Sequence, residues 1–308
     1  MHMQATLNGT ELFFDVDGEG FRPEQGALVE KPVLVVIHGG LGFDHGYLKP
    51  GLSALRDQAQ LIYVDLRGQG RSGRPPLETC TLEQMADDVA ALCAYLGVGR
   101  VHVFGHSAGG FVAMHLALRH PALVRGLVLC GSSPTVQPIM DDSEEPAPTL
   151  ASRAGPETMA VAARVFSGDI TAESVEAFFR EVGPYYAAPA HMDVPPALTA
   201  LSIASVDMMR HFMTVIAPSY DLRPLLGGVA ARTLVLVGKY DWVCPPRASR
   251  AIARGIPGAV LVEFDEAGHF PFSETPGAFI DVMANYFAGK NASRAGLLFS
   301  ALNGREGS

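Results

Sequence analysis

Apolar residues follow one another almost without interruption in five stretches of this chain: Val33-Leu34-Val35-Val36-Ile37, Leu61-Ile62-Tyr63-Val64, Val101-His102-Val103-Phe104, Leu127-Val128-Leu129-Cys130 and Leu234-Val235-Leu236-Val237. Runs of this kind predict strands buried on both faces, the condition of strands inside a parallel sheet. Between them the spacing changes to a helical one. Thr81 can cap a helix with Glu83 and Gln84 in its first turn, and Met85, Val89, Leu92, Cys93 and Leu96 then recur on one face until Gly97 and Gly99 stop it. Further helices are predicted over 51–58, 111–118, 247–254 and 276–287, a further strand over 259–264 and an edge strand over 11–18, and the strand that ends at Cys130 is expected to start at Arg125. Strand alternating with helix implies right-handed crossovers, hence an α/β fold with a mostly parallel central sheet and helices on both faces.

That rhythm breaks once. Residues 132–148 are rich in proline, serine and acid, and the pattern is mainly helical from there to about 226. Thr171 can cap a helix that places Val175, Phe178, Phe179 and Val182 on one face and Glu173, Glu176 and Arg180 on the other. We therefore expect a core formed by 1–132 and 229–290 with an inserted helical cap at 133–228. The tail, 291–308, is expected to be loosely ordered, with Leu297, Leu298 and Phe299 as a docking spot. A chain of 308 residues accommodates such a core and insertion.

Charge narrows the partners. The net charge of -9 argues against nucleic acid, which needs a basic surface. Between Ser133 and Leu225, twelve acids stand against five arginines, so this segment carries -7 of the total. No stretch of about twenty apolar residues is present to span a bilayer. Residues 1–9 show no basic run followed by an apolar core, so a secretory signal is not visible and a cytoplasmic location is expected. Cys80, Cys93, Cys130 and Cys244 are far apart and read as free thiols, Cys93 and Cys130 as small core residues. No histidine pair has the spacing of metal ligands on one helix face: His115 and His120 are five apart. No metal and no cofactor are expected.

The chemistry gathers at Gly105-His106-Ser107-Ala108-Gly109, which has a strand before it and a helix after it. A serine on so sharp a strand-to-helix turn adopts a strained backbone, tolerates only small neighbours and lifts its Oγ clear of the sheet. The helix that follows aims its first N–H groups at the same point, where negative charge can be held. With this context we read Ser107 as a nucleophile in preference to a helix-capping serine.

In motif content and order the chain resembles the α/β-hydrolase superfamily. The matching segments are the glycine turn His38-Gly39-Gly40, the loop Asp65-Leu66-Arg67-Gly68-Gln69-Gly70-Arg71-Ser72, the elbow, Gly238-Lys239-Tyr240-Asp241 and Gly268-His269-Phe270-Pro271. The resemblance implies a triad in the order Ser107, Asp241, His269, with His269 as general base and Asp241 holding its imidazole in one tautomer. It implies an oxyanion hole made of the backbone N–H groups of Gly40 and Ala108. His38 and His106 are read as positioning residues, and Arg67 and Arg71 as anchors that fix their loop by backbone hydrogen bonds.

Serine at 107 excludes the branches of this superfamily that use a carboxylate nucleophile, and leaves acyl transfer to water. The segments around His38 and Asp65 look like the proline iminopeptidase group, although Leu41 stands where that group usually has proline. Three classes therefore stay open: a serine hydrolase of small esters or amides, including an aminopeptidase; a carboxylesterase, lactonase or cofactor-free carbon–carbon bond hydrolase with the same triad; and a non-enzymatic ligand-binding member of the fold. The partner expected is a small molecule or short peptide, and an acidic cap would suit one with a free amino group. Against that, Glu176 and Arg180 read as an ordinary exposed helix pair, and the acids between Asp141 and Glu145 as a solvated loop.

Overall fold

The computed structural model describes residues 2–140 and 148–290. The acids from Asp141 to Glu145 and the tail with Leu297, Leu298 and Phe299 lie outside the described residues.

The described residues form ten strands: β1 (His2–Leu7), β2 (Thr10–Asp17), β3 (Phe21–Glu24), β4 (Ala27–Glu30), β5 (Val33–Ile37), β6 (Gln60–Val64), β7 (Val101–His106), β8 (Val124–Cys130), β9 (Arg232–Gly238) and β10 (Val260–Phe264). Eight of them form one sheet in the order β1-β2-β6-β5-β7-β8-β9-β10, and β3 pairs only with β4. From β6 to β10 every pairing is parallel, while β1 and β2 run antiparallel at one margin. The strand predicted over 11–18 is β2, and β1 covers it, so β2 is not the edge.

The continuous apolar runs explain the central strands. In β5, Leu34 and Val36 feed one hydrophobic cluster while Val35 and Ile37 feed the other, and all four are fully buried. In β8, Leu127 and Leu129 point one way, Val128 and Cys130 the other. Each such side chain contributes roughly 1.5–3 kcal/mol by burial, so a polar substitution on either face is costly. Helices Leu82–Tyr95 and Ala108–Arg119 cover the first face, and helix Pro276–Phe287 the second. Thr81 accepts a hydrogen bond from the Gln84 amide at 3.1 Å, as its capping role requires.

Between β8 and β9 the described residues are mainly helical. Helix Ala172–Glu181 starts at Thr171, which forms a reciprocal capping box with Ser174. Its apolar face buries Val175 and Phe178 against helix Pro156–Phe166 and its neighbours. Arg180 pairs with the adjacent Glu181 at 3.0 Å, not with Glu176 as the helical spacing suggested. Among the described residues no helix is long and apolar enough to cross a membrane.

Candidate active site

β7 runs straight into the elbow. Ser107 has φ 53° and ψ −126°, a left-handed conformation that costs a non-glycine residue about 1–3 kcal/mol. The surroundings hold it there. Its amide donates to the Cys130 carbonyl at 2.9 Å, and its carbonyl accepts from the Gly110 amide and the Ser132 hydroxyl, each at 2.9 Å. The flanking glycines leave no room for a side chain: a Cβ at Gly109 would meet the Ile37 and His38 carbonyl oxygens at 2.4 Å, and one at Gly105 the Gly109 oxygen at 2.6 Å.

Asp241 follows β9 and His269 follows β10, so parallel neighbours deliver both to the carboxyl edge where the elbow stands. Nδ1 of His269 lies 2.8 Å from Oδ2 of Asp241, and both side chains are buried. The other oxygen of Asp241 accepts from the amides of Val243 at 2.9 Å and Cys244 at 2.8 Å. Its orientation is thus set by backbone, and Nδ1–H of His269 is the donor that completes it. Gly131 sits beside the pair; a Cβ there would lie 3.2 Å from both the Asp241 oxygen and His269 Nδ1.

Ser107 and His269 line the same cavity, of about 120 Å3, together with Gly40, Phe43, Tyr47, Phe179, Tyr186, Leu198, Val243 and Phe270 among others. No Asp, Glu, Lys or Arg lines it. The two catalytic candidates do not hydrogen-bond to each other here. Instead the Ser107 hydroxyl faces the thiol of Cys244, which burial keeps protonated by pushing its pKa well above the usual range. A neighbouring hollow shares Phe43, Phe179, Thr199 and Ser202 with the cavity and carries Glu176 and Arg180, one charge of each sign.

The glycine turn is held from three sides. Leu66 N–H donates to His38 Nε2 at 3.1 Å, which leaves Nδ1 to donate to the Gly39 carbonyl at 2.9 Å. Gly42 N–H donates to Gln69 Oε1 at 2.6 Å, and Gly39 N–H to the Tyr47 phenol. The Gly40 N–H has no acceptor among the described residues. Ala108, first residue of its helix, likewise has no partner for its N–H within the helix. Gly40 lines the cavity with Ser107, and Ala108 follows Ser107 directly, so among the described residues both unengaged N–H groups lie near the elbow.

Arg67 and Arg71 do not line the cavity. They fix the loop mainly through carboxylates, not through backbone carbonyls as the glycine content suggested. Arg67 makes a bidentate contact to buried Asp88 at 2.5 and 2.7 Å, and Arg71 reaches Asp65 at 2.8 Å and Asp44 at 3.1 Å. Burial would raise the Asp65 pKa, but His45 and Arg71 outweigh it and hold the carboxyl below the usual range. The backbone ties come from Arg74, which donates to the carbonyls of Gln69, Gly70 and Ser72.

Three residues that the motifs did not mark also shape the site. The Cys244 thiol hydrogen-bonds with the Ser107 side chain. Tyr47 bridges the glycine turn to His106. Glu274 accepts from the amides of Gly268 at 2.8 Å and Phe270 at 2.9 Å, on either side of His269, and from Ala188 at 2.8 Å. The only sequence signal for Glu274 is an acid in the first turn of a short helix after Pro271; Tyr47 and Cys244 carry none, since their roles follow from packing.

A family model described as alpha/beta hydrolase fold matches residues 32–276, and the chain belongs to that family. A protein provisionally named carbamate hydrolase RutD, from Azorhizobium caulinodans, is 27% identical over 278 residues, covering 90% of this chain and 94% of that one. Proline iminopeptidase PfmaB from Pestalotiopsis fici is 28% identical over 272 residues, covering 85% and 91%. Among solved structures, a thermophilic esterase from Thermogutta terrifontis is 28% identical with a TM-score of 0.70, covering 94% of this chain and 99% of that one. The enol-lactonase from Burkholderia xenovorans LB400 has a TM-score of 0.72 at 24% identity, over 94% and 100%, a likeness of fold alone. The chain is a hydrolase of this fold.

Proposed function

We propose that the protein is a serine hydrolase that cleaves uncharged carboxylic esters through an acyl-enzyme, with Ser107 as nucleophile, His269 as general base and Asp241 as its orienting acid. The observation that carries this reading is the 2.8 Å His269–Asp241 contact on a cavity that also holds Ser107 at its strained turn. In the reaction the Ser107 hydroxyl turns from Cys244 to His269, with which it shares the cavity; such contacts are commonly loose until substrate arrives.

In the first half-reaction Ser107 Oγ bonds to the acyl carbon as its proton passes to His269 Nε2. The oxyanion that forms is held by the Gly40 and Ala108 N–H groups, a contribution of about 3–4 kcal/mol per donor. The bond to the leaving oxygen then breaks, and His269 gives it the proton. Water repeats the sequence in reverse, its proton going to His269 and then to Ser107 as the carboxylic acid leaves. The helical segment 133–228 acts as a cap that screens this exchange from bulk solvent.

The uncharged cavity favours an ester, lactone or carbamate over a peptide with a free amino terminus, because an ammonium there would meet no carboxylate. The carboxylate of Glu176 belongs to the adjacent hollow, beside Arg180. A fluorophosphonate probe tests the assignment: labelling of the peptide that carries Ser107, absent in Asp241→Asn, supports it, and no labelling of the native protein rejects it.

A further inference from the structure

A second cavity, of about 110 Å3, lies against the first and shares Gly40, Phe43, Phe179 and Tyr186 with it. From there it continues between the glycine turn and the helices that follow β8, lined by Leu41, Val165, Ile170, Val175, Met209 and Phe212 among others. It contains no charged side chain, and neither Ser107 nor His269 reaches it. At its outer end stand Phe166, 55% exposed, and Met213, 38% exposed, so it opens toward the surface.

These two linings give the substrate a direction. The leaving oxygen must lie where His269 can protonate it, so the alcohol half belongs in the first cavity, beside His269 and Phe270. The acyl carbon is held between Ser107 and the Gly40 N–H. Its other substituent must leave past Gly40, and there, where neither Ser107 nor His269 lines the wall, the second cavity begins. We propose that this second cavity is the acyl-chain subsite, and that the preferred substrates are esters of unbranched apolar acids longer than acetate. The inference rests on the serine-hydrolase reading of the same site and adds to it the substrate class and its orientation. Methionines and aromatic rings suit such a chain, because they repack around flexible apolar groups without a polar partner to satisfy. The open outer end sets no abrupt limit on length.

The test is a series of p-nitrophenyl esters from acetate to octanoate, which varies the acyl chain and keeps the leaving group constant. Transfer of each methylene into the cavity raises kcat/KM by about fourfold until the mouth is reached. Val165→Trp, which fills the cavity, removes that gain for hexanoate while leaving acetate turnover within about twofold of the native protein. Met213→Trp, at the exposed mouth, leaves the core packing intact and penalises octanoate more than hexanoate. A flat chain-length profile in the native protein overturns the proposal, as does an unchanged profile in both variants. Acetate turnover that persists alongside a flat profile overturns the acyl subsite alone; no turnover of any ester and no fluorophosphonate labelling overturn the hydrolase mechanism itself.

Discussion

The phenolic oxygen of Tyr47 lies 2.7 Å from Nδ1 of His106, and through this contact the glycine turn and the elbow are held as one unit. The protons can be placed. Nε2 of His106 is 2.8 Å from the His269 carbonyl oxygen, which only accepts, so Nε2 carries the hydrogen and Nδ1 receives the Tyr47 O–H. The phenol oxygen in turn accepts from Gly39 N–H at 2.8 Å. Burial pushes the Tyr47 pKa up and the His106 pKa well down, so the neutral forms this chain needs persist. Tyr47→Phe strands the Gly39 N–H and the His106 lone pair. We expect a loss of about 1–3 kcal/mol in stability per stranded group at most, and a fall in kcat larger than the change in KM. Urea unfolding and steady-state kinetics on one ester check both.

Glu274 clamps the loop that carries His269. Three backbone N–H groups converge on its two oxygens, so Glu274→Gln turns one acceptor into a donor that faces another donor. The expected outcome is a lower melting temperature together with about a tenfold loss of kcat/KM, and Glu274→Asp fails to rescue it because the shorter carboxylate cannot span both sides of His269. Thermal denaturation followed by kinetics of both variants decides this; native kcat/KM in Glu274→Gln contradicts it.

Acid should destabilise the fold before the carboxylates titrate. His102 is buried against Tyr286, and burial first, then Arg125 and Arg232, lower its pKa from 6.5 to about 4. A histidine kept neutral on folding contributes stability that is complete above 6.5 and is lost as pH falls toward about 4, because only the unfolded chain takes up the proton there. That shift corresponds to about 3 kcal/mol at most. His38 and His106 are shifted the same way by burial. Urea midpoints at pH 7 and pH 5 should differ less in His102→Phe than in the native protein.

All four cysteines are free and buried. Burial raises each thiol above its usual range, Cys93 to about 12. Reaction with a thiol-specific disulfide reagent at pH 8 should therefore be negligible in the native state and reach four thiols per chain in denaturant. Fast reaction of one native thiol, with loss of activity, contradicts the burial of Cys244 behind Ser107.

What could be read in advance followed from what periodicity records. Strand Val33–Ile37 and helix Pro276–Phe287 fall where the apolar pattern puts them, because burial on two faces or on one helical face leaves a repeat in the sequence. β3 and β4 were missed for the converse reason: every residue of that hairpin is exposed, so no alternation marks it. β1 pairs on one side only, and of residues 3–7 only Ala5 is buried, so no apolar run marks it. The positions of Ser107, Asp241 and His269 were legible because motif order places them after the carboxyl ends of β7, β9 and β10. Tyr47, Cys244 and Glu274 were not, since each acts through a partner distant in sequence that only the fold brings near. The partners of Arg67 and Arg71 were misjudged because Asp88 and Asp44 lie outside the glycine-rich loop, and Asp65, the other carboxylate of Arg71, is brought to it only by the loop's return.

The most direct measurement is the turnover of p-nitrophenyl acetate by Ser107→Ala, with circular dichroism to show that the fold is kept. Loss of kcat by about 10⁴-fold or more is the result this account predicts, since removing the nucleophile of a triad leaves only binding and the oxyanion donors. Turnover within tenfold of the native rate would contradict it.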